Sequence, residues 1–291
     1  MYYLFRFAAA ILPWMPRWLV LPLSRVIGLI VWLTAREARR QATRNMIHVL
    51  DAHVLETRAG RRRLRRTVQG MFQQNVRNYL GVFSLPYLRP ETLLRNVDVD
   101  GAEHLDAALA RGKGAILFSA HIGPFDYLAQ WISIKGYSLT IPVERLKDQR
   151  MLDLMLELRR SHSIHYIPLG GNAPLRTIIQ ALRNNEFVLI TADRSVQGES
   201  VEKPFFGAPA HLPIGPVTLS QRTGAALIGA FGWHASRTRI EGRFVPVSLE
   251  LTEEERANTD MLLSGMIKTL EQFISAHPEQ WVVFAPIWTG N

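Results

Sequence analysis

The most informative segment of the chain is Ala115-Ile-Leu-Phe-Ser-Ala-His121-Ile-Gly-Pro124-Phe-Asp126-Tyr. Its first residues form an apolar, strand-like run, and Pro124 suits the first turn of a helix. In one continuous helix, residues five apart point in directions about 140° apart. His121 and Asp126 therefore meet only if His121 precedes the helix. The segment predicts a strand that ends at a histidine, followed by a helix that begins near Pro124.

A carboxylate beside an imidazole holds one ring nitrogen as a donor and leaves the other free to act as a base. His121 and Asp126 suit that arrangement if the junction between strand and helix brings them together. A histidine at a strand end beside an unrelated helical aspartate fits the same spacing. The pair is therefore a candidate site that needs support from its surroundings.

The chain alternates short β-type runs with helical patterns from Val97 onward. This alternation predicts an α/β fold with a mostly parallel central sheet flanked by helices. The predicted strands are Gly114–Ser119, Ser138–Val143, Phe187–Ala192, Ala226–Phe231, Arg243–Leu251 and the strand-like run Trp281–Pro286. The predicted helices are Tyr127–Ile134, Asp148–Ser161, Ala173–Asn184 and Asn258–His277.

Two further polar clusters follow apolar strands of this predicted sheet. They are Pro142-Val-Glu144-Arg145 and Thr191-Ala-Asp193-Arg194. Open α/β sheets place their sites at the carboxyl ends of parallel strands. If these strands are parallel, both clusters meet the His121 segment at one edge of the sheet. One such cluster is typical of an ion pair, whereas three together favour a site.

Residues 1–35 form an apolar segment that we predict to be helical. It is interrupted by three arginines and three prolines, namely Arg6, Arg17, Arg25, Pro13, Pro16 and Pro22. No uncharged run reaches the roughly 20 residues of a spanning helix, and each proline is expected to break or kink a helix. The segment predicts an anchor that lies on the membrane or re-enters it, with one tilted span as the alternative.

Residues 36–94 are predicted to be helical and basic, and to form one structural unit with an α/β core at residues 95–291. The whole chain carries a net charge of +9. Ten arginines against three acidic residues leave +7 in the stretch from residue 36 to 66; the arginines are Arg36, Arg39, Arg40, Arg44, Arg58, Arg61, Arg62, Arg63, Arg65 and Arg66. Such a stretch fits anionic lipid headgroups, nucleic acid or a solvated helix face. The apolar segment before it favours lipid.

Several enzyme motifs are absent from the sequence. It has no Gly-x-Ser-x-Gly elbow, no phosphate-binding P-loop and no Rossmann glycine fingerprint. Cysteine is absent, and His162 with His165 lacks a third ligand at metal spacing. We therefore predict no metal site and no cofactor.

Later motifs give the His-x4-Asp segment a family context. It is followed by Val201-Glu-Lys-Pro-Phe205-Phe206-Gly207-x-Pro209-x3-Pro213-x-Gly215-Pro216, Thr223-Gly-Ala and Pro278-Glu-Gln-Trp281. Over nearly the whole chain these motifs resemble the bacterial lipid A biosynthesis acyltransferase family. Three segments are more similar to its phosphatidylinositol mannoside acyltransferase branch: Val143-Glu144-Arg145-Leu146, Ala192-Asp193-Arg194 and Val201-Glu202.

The resemblance implies direct acyl transfer without an acyl-enzyme. His121 would take the proton of the acceptor hydroxyl, and Asp126 would orient His121. The oxyanion would be bound by Arg145, Arg159 or backbone amides near Gly123. The implied substrate-binding residues are Glu144, Arg145, Arg159, Asp193, Arg194, Glu202, Phe205, Phe206 and Gly207.

Three of these expectations concern packing. We expect Glu144 to form a buried ion pair with an arginine, Arg159, in the pocket wall. We expect Glu202 to lie in a loop over the site. The two phenylalanines at 205 and 206 either belong to the core or line an acyl channel.

The expected activity is O-acyl transfer from acyl-CoA or acyl carrier protein to a hydroxyl of a lipid or glycolipid. A lipid A precursor and a phosphatidylinositol mannoside are the acceptors that the resemblance implies. The alternatives are a lysophospholipid or glycerolipid acyltransferase, an acyl-thioester hydrolase, and a non-catalytic binding protein. The expected partners are the acyl donor and membrane lipids with anionic headgroups, not nucleic acid. The expected location is the cytoplasmic face of the inner membrane.

Overall fold

Helices make up the amino-terminal third of the protein. The computed structural model describes residues 2–160, 163–170, 173–195 and 198–288. Its first five helices are α1 (Tyr2–Ile11), α2 (Arg17–Thr34), α3 (Arg36–Leu50), α4 (Arg58–Ser84) and α5 (Pro90–Asn96). Helices therefore cover most of the region 36–94 in which we predict helical structure.

The prolines of the amino-terminal segment differ in their effects. Pro13 lies in a 3-10 turn at Leu12–Trp14, and Pro16 directly precedes α2. These two prolines separate α1 from α2. Pro22 lies inside α2, which continues to Thr34, so the helix does not break there, and a kink at Pro22 stays a prediction. A proline near a helix start removes one backbone hydrogen bond, and the packing of α2 on α4 holds the remaining turns.

Close packing joins α2 to α4. A Cβ atom on Gly28 would lie 2.6 Å from the Cα atom of Gln73, so glycine permits this approach. No single helix among the described residues is long and apolar enough to cross a membrane. One pair, Trp18–Thr34 with Arg36–Leu50, has the length and composition of a span but is bent by 98°.

Strands and helices alternate from residue 97. The strands are β1 (Val97–Asp100), β2 (Ala115–Ser119), β3 (Leu139–Val143), β4 (Ile164–Pro168), β5 (Phe187–Thr191), β6 (Ser200–Phe205), β7 (Ala208–Pro213), β8 (Ala226–His234) and β9 (Ile240–Pro246). The helices are α6 (Glu103–Leu109), α7 (Phe125–Ile134), α8 (Gln149–Arg159), α9 (Ala173–Arg183), α10 (Gly215–Thr223), α11 (Glu253–Ala257) and α12 (Thr259–Ala276).

Seven of these strands form one sheet in the order β1-β9-β8-β2-β5-β3-β4. All pairs are parallel except β8 with β9. The five strands from β8 to β4 therefore run in one direction, and β1 and β9 run in the other. β6 and β7 form a separate antiparallel hairpin. The predicted α/β fold with a mostly parallel sheet is confirmed.

The central strands carry apolar side chains on both faces. Ile116 and Phe118 of β2 pack in one core cluster, and Ala115 and Leu117 pack in another. The first cluster includes residues of α12 and α3, and the second includes residues of α7. Burial on both faces explains why the predicted strands read as continuous apolar runs.

The agreement between predicted and observed elements is best in the sheet centre. β2, β3, β5 and β8 lie where strands are predicted, and α7, α8, α9 and α12 match the predicted helices. The predicted strand Arg243–Leu251 is misplaced, because β9 ends at Pro246. The run Trp281–Pro286 contributes an isolated bridge between Trp281 and Ile122 instead of a strand. Ser161, the predicted end of one helix, and His162 lie outside the described residues.

Candidate active site

The register of β2 and β5 places His121 beside Asp193. These strands pair in parallel, with Ser119 opposite Thr191. His121 and Asp193 each lie two residues beyond those partners. The amide N–H of Ala192 donates to the carbonyl oxygen of Ser119 at 2.8 Å, which extends the pairing past the strand ends. The carboxyl edge of the sheet therefore brings the two side chains together.

The segment that holds His121 is fixed by the carboxyl-terminal part of the chain. The amide of Val282 donates to the carbonyl oxygen of His121 at 2.8 Å, and the amide of Gly123 donates to that of Gln280 at 2.9 Å. Asn78 of α4 donates to the carbonyl oxygen of Gly123 at 2.9 Å. Gly123 has φ +53°, and a Cβ atom there would lie 2.2 Å from the carbonyl oxygen of Gly232. Close approach therefore requires glycine at this position.

Asp193 is the carboxylate that contacts His121. Its Oδ1 lies 2.8 Å from Nδ1 of His121, and its Oδ2 accepts the backbone N–H of His121 at 2.9 Å. The indole N–H of Trp281 donates to the same Oδ2 at 2.7 Å. The Asp193 side chain is fully buried, whereas that of His121 is 26% exposed. With Nδ1 facing a carboxylate, Nε2 is the nitrogen that remains as a base.

The surroundings of Asp193 favour its charged form. Burial alone raises the pKa of this carboxyl, but the charge of His121 and three hydrogen bonds lower it below its ordinary value. Those hydrogen bonds come from the side chain and backbone of His121 and from Trp281. An ionised carboxylate next to Nδ1 stabilises the imidazolium that forms when Nε2 takes up a proton.

Asp126 does not occupy the position that we predict for it. Among the described contacts, its partner is Arg159 of α8, whose Nε lies 2.8 Å from Oδ1. A terminal nitrogen of Arg159 lies 3.3 Å from Oδ2. The Nε–H does not point along the shorter contact, which is therefore an ion pair, whereas the 3.3 Å contact is a hydrogen bond that Arg159 donates. The predicted orientation of His121 by Asp126 is wrong, because Asp193 takes that place.

The location of Asp126 in the first turn of α7 explains this difference. Its buried side chain lies between α7 and α8, where Arg159 is also largely buried. Burial by itself lowers the pKa of Arg159, but the charge of Asp126 keeps it above its ordinary value. Burial, followed by the charge of Asp126, raises the pKa of Tyr166 nearby. The pair links two helices that flank the sheet.

Glu144 and Arg145, which follow β3, have side-chain partners other than those that we predict. Glu144 pairs with Arg194 at 3.0 Å, not with Arg159, and half of its side chain is exposed. The predicted buried pair between Glu144 and Arg159 is therefore wrong. Arg145 donates through Nε to the carbonyl oxygen of Leu169 at 2.7 Å. These contacts connect the ends of β3, β4 and β5, so the three clusters do share one sheet edge.

Glu202 lies in strand β6, so the loop that we predict for it is wrong. Its exposed side chain lies 3.9 Å from His211 of β7. Phe206 and Gly207 connect the strands with φ of +51° and +74°. Positive φ at both residues is typical of a tight two-residue hairpin turn.

The two aromatic residues of this hairpin pack against the carboxyl-terminal segment. Phe205 is fully buried, and the ring centroids of Phe205 and Trp288 lie 5.8 Å apart in a stacked arrangement. The indole N–H of Trp288 donates to the carbonyl oxygen of Phe205 at 2.8 Å. Phe206 is only partly buried against the same cluster. Phe205 is therefore a core residue, and the acyl-channel role of the pair stays a prediction.

Two features of the site escaped the sequence-based reasoning. The first is the role of Gln280 and Trp281, whose motif carries the family resemblance but whose contacts with Gly123 and Asp193 span long sequence separations. The second is that the Gly123 amide, a predicted oxyanion donor, already donates to Gln280. Arg159 is likewise engaged by Asp126. Of the three candidate oxyanion donors, Arg145 donates only its Nε–H in the described contacts, to the carbonyl oxygen of Leu169.

Comparison with known proteins places these features in a family. The family model for "Bacterial lipid A biosynthesis acyltransferase" matches residues 1–289. A phosphatidylinositol mannoside acyltransferase of Mycobacterium tuberculosis (strain CDC 1551 / Oshkosh) is 33% identical over 214 residues, 72% of this chain and 66% of that protein. Its counterpart in Mycolicibacterium smegmatis (strain ATCC 700084 / mc(2)155) is 27% identical over 211 residues, 72% of this chain and 68% of that protein.

The match with the Mycobacterium tuberculosis protein spans just under two thirds of that protein's length. The family model, by contrast, extends over nearly all of this sequence, from the amino-terminal helices to the Trp281 segment. The chain belongs to the bacterial lipid A biosynthesis acyltransferase family.

Proposed function

We propose that this protein is an O-acyltransferase that moves a fatty acyl group from a thioester to a hydroxyl of a lipid or glycolipid. The observation that carries the proposal is the contact between Nδ1 of His121 and the buried Asp193. It leaves Nε2 as a base on a side chain that is 26% exposed, at the carboxyl edge of the sheet. Membership of an acyltransferase family fits this chemistry.

The proposed reaction uses His121 as the base and Asp193 as its counter-ion. Nε2 of His121 takes the proton of the acceptor hydroxyl as the hydroxyl oxygen attacks the thioester carbonyl carbon. The tetrahedral intermediate collapses as the carbon–sulfur bond breaks. The imidazolium then returns the proton to the leaving thiolate. Throughout, Asp193 holds Nδ1 as the donor and balances the transient positive charge.

The oxyanion of the intermediate needs hydrogen-bond donors. Arg145 is our candidate, because it keeps terminal N–H groups beyond the Nε–H that Leu169 binds. Glu144 and Arg194 are exposed or half-buried at the same edge, where polar groups of an acceptor headgroup are expected. Glu202 on the hairpin is a further candidate for acceptor binding. Asp126 and Arg159 hold α7 and α8 together in this proposal.

A glycolipid is the acceptor that we favour. The similar mycobacterial proteins are named for phosphatidylinositol mannoside, and the family for lipid A biosynthesis. Lysophospholipid or glycerolipid acylation is the nearest alternative. Either acyl-CoA or acyl carrier protein supplies the thioester in this scheme.

We also propose that the protein works on a membrane surface, at the cytoplasmic face of the inner membrane. The apolar helices α1 and α2 and the turn between them expose large side chains that include Phe7, Trp14, Trp18 and Ile30. Basic residues of α3 and α4 follow them in sequence. This combination of exposed aromatic residues and arginines is typical of a helical segment that lies in the headgroup region.

The test of the activity uses purified protein with acyl-CoA or acyl carrier protein and a panel of acceptors. The panel contains a phosphatidylinositol mannoside, a lipid A precursor and a lysophospholipid, and mass spectrometry follows the products. We expect an acylated lipid, and we expect His121→Ala to lower its rate by about 100–10,000-fold, because a positioned base supplies a factor of that size.

The control for that variant is its melting temperature, which should stay close to that of the wild type. Wild-type turnover in a folded His121→Ala protein would contradict the proposal. Free fatty acid without any acylated lipid would instead identify a thioester hydrolase in which His121 activates water.

A further inference from the structure

A cavity of about 420 Å³ lies away from the His121 site, among the amino-terminal helices. Its walls come from α2, α3, α4 and the turn before α4. Ten residues line it, among them Trp32, Arg39, Arg40, Arg44, Arg61 and Arg65. Its volume falls in the range of about 300–1,000 Å³ that small-ligand pockets occupy.

Positive charge dominates this cavity. Half of its lining residues are arginines, and no carboxylate of the described chain forms an ion pair with any of them. The two acids at the ends of the turn before α4 have other partners: Glu56 lies 2.6 Å from His53, and Asp51 accepts the backbone N–H of His53. Like charges in one cavity repel each other unless an anion enters. The cavity is therefore suited to an anionic group.

Trp32 gives the cavity a fixed wall. The guanidinium groups of Arg39 and Arg65 lie 5.1 and 5.2 Å from its ring centroid. Arg39 also donates to the carbonyl oxygens of Trp32 and Leu33. Two of the cations are thus held in place before any ligand binds, which reduces the entropy cost of binding.

The indole N–H of Trp32 provides an independent indication of a ligand. Trp32 is nine-tenths buried, and its Nε1 has no acceptor among the described residues. An unsatisfied buried donor is costly to the folded state. An anionic oxygen that reached this N–H from the cavity would satisfy it and would also pair with the surrounding guanidinium groups.

The exposed face of α2 indicates that the ligand also has an apolar part. Leu29, Ile30 and Leu33, on the same helix as Trp32, are 39–54% exposed. An apolar surface next to an arginine-lined cavity matches a molecule that joins fatty chains to a phosphate. Free phosphate, a nucleotide or nucleic acid would use the arginines but not the apolar face.

We propose that this cavity binds the phosphate of an anionic lipid headgroup, with the lipid's acyl chains along the exposed face of α2. In such a site the arginines of one cavity bind the lipid, whereas on a diffuse basic surface all exposed arginines would contribute equally. The proposal rests on the proposed function only in that both place the protein at a lipid surface. The bound lipid is separate from the acceptor at His121.

The test compares two variants with equal charge. Arg40→Gln/Arg44→Gln removes two exposed arginines that line the cavity, and Arg58→Gln/Arg62→Gln removes two outside it. Both pairs are four residues apart on a helix. Arg39 and Arg65 stay in place, because they pack on Trp32. Flotation with phosphatidylcholine vesicles, with or without phosphatidylglycerol, measures binding in the absence of acyl donor.

We expect the cavity variant to lose at least ten times more affinity for phosphatidylglycerol vesicles than the control variant, with equal melting temperatures. Trp32→Phe keeps an aromatic ring but removes the N–H, and it should weaken the same binding without affecting pure phosphatidylcholine. Equal losses in the two double variants would overturn the proposal and leave only a diffuse charged surface.

Competition identifies the source of the phosphate. Inorganic phosphate or glycerol phosphate should displace the protein from vesicles far less effectively than dispersed phosphatidylglycerol does. Full displacement by inorganic phosphate, or equally tight binding of duplex DNA that depends on the same two arginines, would overturn the lipid assignment. These binding measurements involve no turnover. A negative binding result therefore does not contradict the proposed acyl transfer, and a protein without acyltransferase activity can still be tested for binding.

Discussion

Asp193 and Asp126 are both buried aspartates of the candidate site, but their partners differ. Asp193, after β5, accepts hydrogen bonds from the backbone and ring of His121 and from Trp281. Asp126, in α7, pairs with the guanidinium group of Arg159. The first carboxylate therefore faces a group that gains and loses a proton, whereas the second faces a permanent cation.

This difference teaches that position in the fold, and not membership of the His-x4-Asp motif, decides which aspartate acts on the histidine. Asp193 follows β5, whose parallel pairing with β2 brings the ends of both strands to the same edge of the sheet. Asp126 lies on a helix and connects it with the neighbouring helix α8. The first should affect the proton transfer, and the second should affect the stability of the scaffold.

The largest expected effect on activity comes from Asp193→Asn. The amide cannot balance the imidazolium and allows the unproductive tautomer of His121, so turnover should fall by about 100–10,000-fold. Turnover with a thioester donor and melting temperature are measured on the same preparation. Near wild-type turnover in a folded variant would show that another group orients His121.

Acid unfolding gives a second measurement on the same variant. The folded-state pKa of Asp193 lies below its ordinary value of 3.8, so its charge stabilises the folded protein fully above that pH. That contribution is lost as the pH falls from 3.8 through the folded-state pKa. Denaturant unfolding as a function of pH should therefore show a smaller loss of stability in this window for Asp193→Asn than for the wild type.

The largest expected effect on stability comes from Asp126→Asn. It leaves the charge of Arg159, whose side chain is 19% exposed, without a counter-ion. Breaking a buried pair in this way costs about 3–5 kcal/mol in the free energy of unfolding. Denaturant unfolding measures the loss, which should exceed that of Asp193→Asn.

The double variant Asp126→Asn/Arg159→Gln provides the control for this effect. Removing both charges should regain part of the stability that the single variant loses, because no unpaired charge remains. If Asp126→Asn keeps full stability but loses turnover as strongly as Asp193→Asn, the contrast between the two aspartates fails.

The sheet and the polar clusters at its carboxyl edge could be predicted from the sequence for a physical reason. β2 and β5 are buried on both faces, so their composition alone marks them as strands, and chain order places polar clusters after them. Their parallel pairing then follows from the alternation of strands and helices. β1 and the hairpin of β6 and β7 carry no such apolar run, because they lie at an edge or outside the main sheet.

The partner of His121 was not accessible in the same way. Asp126 is five residues away in sequence and Asp193 is 72, and local spacing favours the nearer residue. The choice depends on strand order, which places β5 directly beside β2. Trp281 lies 88 residues beyond Asp193, and its contact likewise arises only from tertiary packing.

Trp281→Phe should have an intermediate effect. It keeps an aromatic ring but removes the N–H that donates to Asp193 at 2.7 Å. A hydrogen bond to a charged group contributes about 1.5–3 kcal/mol. Part of this energy stabilises the folded protein, and part keeps Asp193 in position beside His121. We therefore expect a roughly tenfold loss of kcat, measured with saturating substrates, and a lower melting temperature.

Trp288→Phe is the matched control for that variant. Its buried indole N–H donates to the neutral carbonyl oxygen of Phe205 at 2.8 Å, not to a carboxylate. Trp288→Phe should lower stability without a comparable loss of kcat. Equal losses of kcat in both variants would mean that ring packing, and not the hydrogen bond to Asp193, is responsible.

The smallest expected effect on stability comes from Glu144→Gln, which tests a third carboxylate at the same edge. Glu144 is paired with Arg194, as Asp126 is with Arg159, but half of its side chain is exposed. Water already solvates much of this pair, so its loss should change the free energy of unfolding by less than about 1 kcal/mol. Glu254→Gln on α11, an exposed glutamate, provides the comparison for the loss of one charge.

Activity separates the two exposed glutamates. If Glu144 contacts the acceptor, its variant should raise KM for the acceptor with kcat nearly unchanged, because binding of ground and transition states weakens equally. Glu254→Gln should leave both constants unchanged. A stability loss as large as that of Asp126→Asn would mean that exposure does not govern the strength of these pairs. An unchanged KM would remove Glu144 from the acceptor site and leave its pairing with Arg194 as a link between β3 and β5.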